Sequence, residues 1–181
     1  MNFRRFLPIT LTAIFSATAF GQAGITPTQM NLRPVGGIER LPSEGISASA
    51  IRGMERDAFN LINRQRAEVG LSGLKWSDKV AQVARLHSNN MAEYNFFSHK
   101  GLDGLMVDDR AAQVKMGAWN AIGENIAFMK GFPNPVEVAV DKWLHSPAHK
   151  QNLLDPSWTE TAIGLAVTPD GKYYFTQVFI R

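Results

Sequence analysis

The feature that most constrains this chain is its complete lack of cysteine. No disulfide can crosslink the fold, so packing alone has to stabilise it. Thiol chemistry is excluded for the same reason. Hydrophobic residues make up 45% of the chain, and roughly 130 residues in one domain are enough to bury a working core.

The N-terminus predicts a secretory signal peptide over residues 1–23. Arg4 and Arg5 provide a positive start, and a short apolar stretch with small residues at its end follows. Cleavage is predicted after Gly21 or Ala23. A retained membrane anchor is the alternative, but the apolar stretch is too short and too interrupted for a good membrane span. The sequence therefore predicts an exported protein, periplasmic or extracellular, with no stable transmembrane helix after processing.

The charge of the mature chain argues against nucleic acid as a partner. The formal net charge of the full chain is +3. Residues 1–21 hold two arginines and no acidic side chain, so their removal leaves +1. Nucleic-acid binding depends on a concentrated basic surface, which a nearly neutral domain does not indicate.

Residues 24–53 predict a flexible linker between the signal peptide and the domain. This segment is rich in glycine and proline and has little apolar periodicity. Such a composition buries too little apolar surface to offset the loss of chain entropy. The folded domain is therefore predicted over residues 54–181, as a monomer.

Apolar residues at helical spacing predict four helices in this domain. The first covers residues 54–69, the second starts after Ser77, and the third covers residues 108–116. The fourth starts at Asn134-Pro135, where a capping residue precedes a proline at the first helical position, and Glu137 is expected to complete a capping box.

The C-terminal part changes to the period of strands. Residues 162–168 and 172–180 are rich in β-branched and aromatic residues, and Pro169-Asp170-Gly171 between them is a turn signal. This pattern predicts an antiparallel hairpin. Helices followed by strands favour an α+β fold in which helices cover a sheet.

The four histidines have different predicted roles. His87 lies on the apolar stripe of the second helix, which favours a buried histidine bonded to the backbone over a ligand role. His145 is predicted to be solvated on the polar side of the fourth helix. His99 follows two aromatic residues in a loop, and His149 is placed in a turn.

His99, Glu124 and His149 form the best candidate set for chemistry. Two imidazoles and a carboxylate could bind zinc or another divalent ion with an open position, or could act as a general acid–base pair. Their spacing alone favours the other interpretation, three unconnected polar residues on loops. No helical HExxH, GxSxG elbow or phosphate-binding glycine loop strengthens a catalytic interpretation.

Six motifs occur in order along the predicted domain: LINRQR (61–66), ARLHSNNM (84–91), FSH (97–99), GENIA (123–127), WLHSPAHKQNLL (143–154) and YFTQVF (174–179). Together they resemble the bacterial branch of the CAP superfamily, which joins cysteine-rich secretory proteins, insect venom antigens and plant pathogenesis-related proteins. The resemblance implies an α–β–α sandwich with a central antiparallel sheet and a cleft above it.

The resemblance also implies a site in that cleft. In eukaryotic relatives two histidines and two glutamates line the cleft and can bind a divalent ion. His99 matches the first histidine and Glu124 the first glutamate. Ser146 stands near the second glutamate position and Tyr174 near the second histidine position, so both depart from the pattern. His149 belongs to the bacterial pattern and is expected to substitute in space.

Three functions are compatible with these residues. The first is a non-enzymatic module that binds an envelope, lipid or protein ligand at a cleft formed by His99, Glu124, Asn125, His149 and Tyr174. The second is a metal-dependent hydrolase of peptides or cell-wall material, with Glu124 as general base and the histidines as zinc ligands. In the third, Glu124 only holds loops in place, through hydrogen bonds from loop amides and from His99.

Overall fold

The structure, a computed structural model, describes residues 46–181. The predicted signal peptide and the first part of the predicted linker lie outside the described residues. The described elements are, in chain order, α1 (Ala48–Glu68), β1 (Lys75–Trp76), α2 (Asp78–Tyr94), α3 (Val107–Gln113), β2 (Ile122–Lys130), α4 (Pro135–His145), α5 (Pro147–Leu153), β3 (Glu160–Val167) and β4 (Lys172–Ile180).

The strands form one sheet in the order β1-β3-β4-β2. β3 and β4 pair in antiparallel fashion, from Glu160 opposite Ile180 to Val167 opposite Tyr173, so the predicted hairpin is confirmed. β2 pairs antiparallel with the other side of β4. The two-residue β1 runs parallel to β3 and is the one departure from an antiparallel sheet within residues 46–181.

Helices cover both faces of the sheet. On one face α1 and α4 bury a core with the sheet that includes Ile62, Trp143 and Phe175. On the other face α2 packs Val80 and its neighbouring small residues against β3 and β4. The predicted α–β–α sandwich is confirmed. It leaves β2, which carries Glu124, at one edge of the sheet.

The contact between α2 and β3 depends on a glycine. A Cβ atom at Gly164 would overlap the backbone of Ala84 and Arg85. Ser88, one turn further along α2, donates a hydrogen bond to the carbonyl of Gly164 over 2.9 Å. The helix backbone therefore lies directly on the strand, and this fixes the position of His87 above the sheet.

Three predicted boundaries or contacts need correction. α1 begins at Ala48, so the predicted linker ends six residues too late. The helix starts there because the hydroxyl of Ser47 accepts a hydrogen bond from the amide of Ala50. α3 ends at Gln113 rather than at residue 116. α4 has the predicted proline start, but the side chain of Asn134 makes no cap hydrogen bond.

Two elements at the site were not predicted. The segment around Glu124 is strand β2, not a loop, because it gains its backbone partners from β4, about fifty residues later in the chain. His149 lies on helix α5 and not in a turn. Pro147 ends α4 but also occupies the first turn of α5, a position where its missing amide proton costs no hydrogen bond.

Candidate functional site

Glu124 lies at the centre of a polar cluster on the α2 side of the sheet. It belongs to the edge strand β2 and stands opposite Val178 of β4. Its side chain is only 4% exposed. The residue before it is Gly123, which packs against the ring of Trp158. A Cβ atom at this position would lie 2.9 Å from that ring.

Both carboxylate oxygens of Glu124 are engaged by neighbouring side chains. Oε1 lies 2.8 Å from Nδ1 of His99, and Oε2 accepts a hydrogen bond of 2.7 Å from Nη2 of Arg110. A carboxylate accepts and does not donate, so the proton of the neutral His99 ring is assigned to Nδ1. Nε2 of His99 is then an unprotonated acceptor on a side chain that is 45% exposed.

Arg110 is a buried arginine that the sequence did not identify as a site residue. It projects from α3 and is 2% exposed. Besides its bond to Glu124, it donates through Nη1 to the carbonyls of His99 and Leu105, over 3.2 and 2.9 Å. One guanidinium therefore binds two carbonyls of the loop that carries His99 and also the carboxylate of Glu124.

The sequence does contain a pattern that could have predicted the burial of Arg110. Val107, Arg110, Ala111 and Val114 follow the spacing of one helical face. A charged residue on an otherwise apolar stripe is expected to have a buried partner. No local pattern indicates that this partner is Glu124.

His87 supports the cluster from α2. It is fully buried, and its Nε2 lies 2.8 Å from the carbonyl of Ser98, to which it donates. The same nitrogen is 3.9 Å from Oε1 of Glu124. Burial lowers the pKa of His87, and Arg110 lowers it further, while the charge of Glu124 opposes the shift. The ring is therefore neutral at pH 7, and the prediction of a buried histidine bonded to the backbone is confirmed.

His149 lies beside His99 at the edge of the sheet. The two ring centroids are 6.5 Å apart. Burial lowers the pKa of His149, and protonation of His99 would lower it further. Asn125 donates to the carbonyl of His149 over 3.1 Å, and Asn152 donates to the carbonyl of Glu124 and to the side chain of Asn125. These amides fasten α5 to β2 and so place His149.

Asn125 and Tyr174, which were predicted to line a cleft together with His99, do not lie together in the structure. Asn125 is buried and points to the face opposite Glu124. Tyr174 is 2% exposed and stands opposite Phe128. That is four residues along the strand from Glu124, or roughly 13 Å at the rise of a β-strand. Its hydroxyl lies 3.5 Å from the side chain of Asn95, away from the cluster.

Two exposed aromatic rings lie on the same side of the sheet, and we call them the aromatic ledge: Phe97 and Phe128. Their centroids are 6.0 Å apart, and Phe128 in turn packs on Tyr174 at 5.0 Å. Both rings are substantially exposed, at 50% and 36%. Phe97 is two residues before His99 in the same loop.

The residues present fit a divalent ion poorly. Both oxygens of Glu124 already accept charge-assisted or imidazole hydrogen bonds. Ser146 caps the start of α5 through its backbone, and Tyr174 is buried elsewhere. Among residues 46–181, no group of three or more His, Cys, Asp or Glu side chains is arranged to hold a metal ion. The three-residue metal site of His99, Glu124 and His149 stays a prediction.

Two grooves of the described domain are lined by residues outside this cluster. One of about 460 Å³ runs between α1 and the start of α4, where Asp57, Arg64 and Glu137 line it. A second, shallow groove follows α5 near Lys150 and Asp155. The site is therefore recognised by its chemistry and burial and not by its volume.

The amino-acid sequence of the chain is similar to that of known proteins. The model of the cysteine-rich secretory protein family, CAP, matches residues 59–179. The uncharacterized membrane protein YlbC of Bacillus subtilis is 36% identical over 129 residues, and the uncharacterized protein YkwD of the same organism is 31% identical over 132 residues. The matches cover 70% and 73% of this chain. They span only 34% and 49% of those relatives.

Solved structures give the same fold. An extracellular protein with an SCP domain from Bacillus anthracis superposes with a TM-score of 0.63 at 31% identity, over 77% of this chain and 45% of that one. An outer surface protein of Borrelia burgdorferi gives 0.64 at 22% identity, over 72% and 93%. Within the part of this chain that the structure describes, no helix is long and apolar enough to cross a membrane.

Proposed function

Because the chain belongs to the cysteine-rich secretory protein (CAP) family, we propose that it is an exported, non-enzymatic module that binds an envelope, lipid or protein ligand around His99. The signal peptide predicted for residues 1–23 supports export. So does the similarity to a Bacillus anthracis protein described as extracellular.

The half-exposed imidazole of His99 is the observation that carries this proposal. Its Nδ1 is fixed on Glu124 over 2.8 Å, so Nε2 is held in one orientation. An oriented acceptor can bind a hydroxyl or amide donor of a ligand with little further ordering cost. His149 stands next to it and completes a small polar surface.

The aromatic ledge supplies the apolar part of the proposed contact. Phe97 and Phe128 are exposed to solvent. Large aromatic rings contribute most to binding or stability when other groups bury them. A ligand that covers them while bonding to His99 would have both polar and apolar groups. Envelope glycans, lipids with polar heads and protein segments share that chemistry.

The engagement of Glu124 favours binding over catalysis. A general base has to reach the proton that it removes, and here both carboxylate oxygens already hold donors. The alternative of a metal-dependent hydrolase requires one of these bonds to break.

A binding experiment tests the proposal. The exported protein, purified without a metal-binding tag, is titrated against cell-wall sacculi, lipid vesicles and extracted envelope proteins of the producing cell. We expect saturable binding to one of these fractions. Loss of the oriented acceptor in His99→Ala should weaken binding at least about tenfold, the effect of one good hydrogen bond.

His145→Ala is the matched control. His145 is exposed on α4 and contacts Asp141 of its own helix, so its removal should leave affinity unchanged. Absence of saturable binding to all three fractions, or equal losses in the two variants, would contradict the proposal. Zinc-dependent release of products from any fraction would favour the hydrolase instead.

A further inference from the structure

We infer that Arg110 takes the place of the divalent ion in this chain, so that the carboxylate of Glu124 has its counter-charge without metal. The inference goes beyond the proposed function, because it concerns how the polar cluster is assembled whether or not a ligand binds there. It rests on the contacts of one buried guanidinium, and no sequence motif pointed to that residue.

The first support is that Arg110 already neutralises the carboxylate. Both side chains are nearly inaccessible, and they meet at 2.7 Å. A metal ion on Glu124 would have to displace either Arg110 or His99. Displacing Arg110 would leave a positive charge buried without its partner, next to a second positive charge.

The second support is that the other route for a metal ion lacks ligands. Nε2 of His99 could bind an ion while Glu124 holds Nδ1, an arrangement common around metal-binding histidines. Among residues 46–181, only His149 is a further histidine beside it, which gives two protein ligands where catalytic zinc sites use three. The family's remaining positions, Ser146 and Tyr174, offer no replacement in this geometry.

The third support is that Arg110 does more than balance charge. It also donates hydrogen bonds to the carbonyls of His99 and Leu105. A metal ion bound to the carboxylate would not account for these two bonds. The same carbonyl of Leu105 accepts the amide of Gly101, so the loop closes on itself at that point. Arg110 therefore positions the loop of His99 and the carboxylate with one side chain.

Thermal unfolding with and without zinc tests the inference. All proteins carry His145→Ala, which removes the exposed His145–Asp141 pair as an alternative zinc site. With Arg110 intact, we expect zinc to leave the Tm unchanged. Arg110→Met should lower the Tm and free one oxygen of Glu124 between His99 and His87. Zinc should then raise the Tm of that variant by several degrees.

Arg66→Met is the matched control, because Arg66 is an equally buried arginine that bonds the carbonyls of Ser72, Leu153 and Asp155. Its Tm should fall, and zinc should not restore it. Two results would overturn the inference: a zinc-induced rise with Arg110 intact that His99→Ala abolishes, or equal rescue of both arginine variants. If Arg110→Met does not fold, the zinc content of the purified exported protein tests the inference instead. Stoichiometric zinc overturns the inference, and no zinc upholds it.

Discussion

The pairing of Glu124 with Arg110 makes a quantitative prediction for Glu124→Gln. Glutamine keeps the size of the side chain and one acceptor oxygen, but it removes the charge. The remaining oxygen can bond either Arg110 or His99, and its amide group would face a donor. The substitution therefore leaves Arg110, which is 2% exposed, as a buried charge without a counterion.

Breaking a buried ion pair from one side costs about 3–5 kcal/mol. The loss here should lie at the low end, about 3 kcal/mol, because Arg110 keeps its bonds to two backbone carbonyls. A domain of this size loses roughly 3–4 °C of Tm per kcal/mol, so the expected fall is about 10 °C.

Circular dichroism melts of the purified protein at neutral pH measure this fall. Glu68→Gln serves as the control, since Glu68 is exposed at the end of α1 and its substitution should change stability by less than about 0.5 kcal/mol. A fall in Glu124→Gln no larger than in Glu68→Gln would refute the reasoning, because it would mean that water reaches the pair.

Three further predictions concern packing and pH. Gly164→Ala should cost about 3 kcal/mol in urea unfolding, the upper end for overpacking, because its Cβ atom would meet the backbone of Ala84. Gly53→Ala should instead add about 0.5–1 kcal/mol in the same assay, because this glycine lies in α1 with open space around it; a loss there would contradict the helix. Burial is the main cause that lowers the pKa of His87 in the folded protein below its value of 6.5 in the unfolded chain. Between these two pKa values the unfolded chain binds more protons than the folded protein, so the free energy of unfolding falls as the pH falls. Tm measured from pH 7.5 down to 5 should show this fall, and His87→Gln should flatten it; an unchanged slope would count against a buried neutral ring.

Local signals predicted the parts of the fold that depend on neighbours in sequence. Pro169-Asp170-Gly171 between two β-branched runs indicated the β3–β4 hairpin. Pro135 marked the start of α4 although no side chain caps it. The burial of His87 followed from its place on an apolar stripe, and the exposure of His145 from the opposite face.

Long-range contacts account for what the sequence could not predict. β2 was missed because its strand character comes from pairing with β4, whereas the residues around Glu124 carry no clear alternation. Spacing could not join His99 to Glu124, and only the family resemblance brought them together. Arg110 was not identified because its partner Glu124 lies on another element, far from any local pattern around Arg110.

The central claim is that ligand is bound at His99, and the imidazole signals of the protein test it most directly. The chain has four histidines, so proton–nitrogen correlation spectra of their rings can be assigned with single substitutions. With the binding envelope fraction added to saturation, the signals of His99 and His149 should shift while that of His145 stays in place. Unchanged His99 and His149 signals at saturation, or a shift confined to His145, would contradict the account.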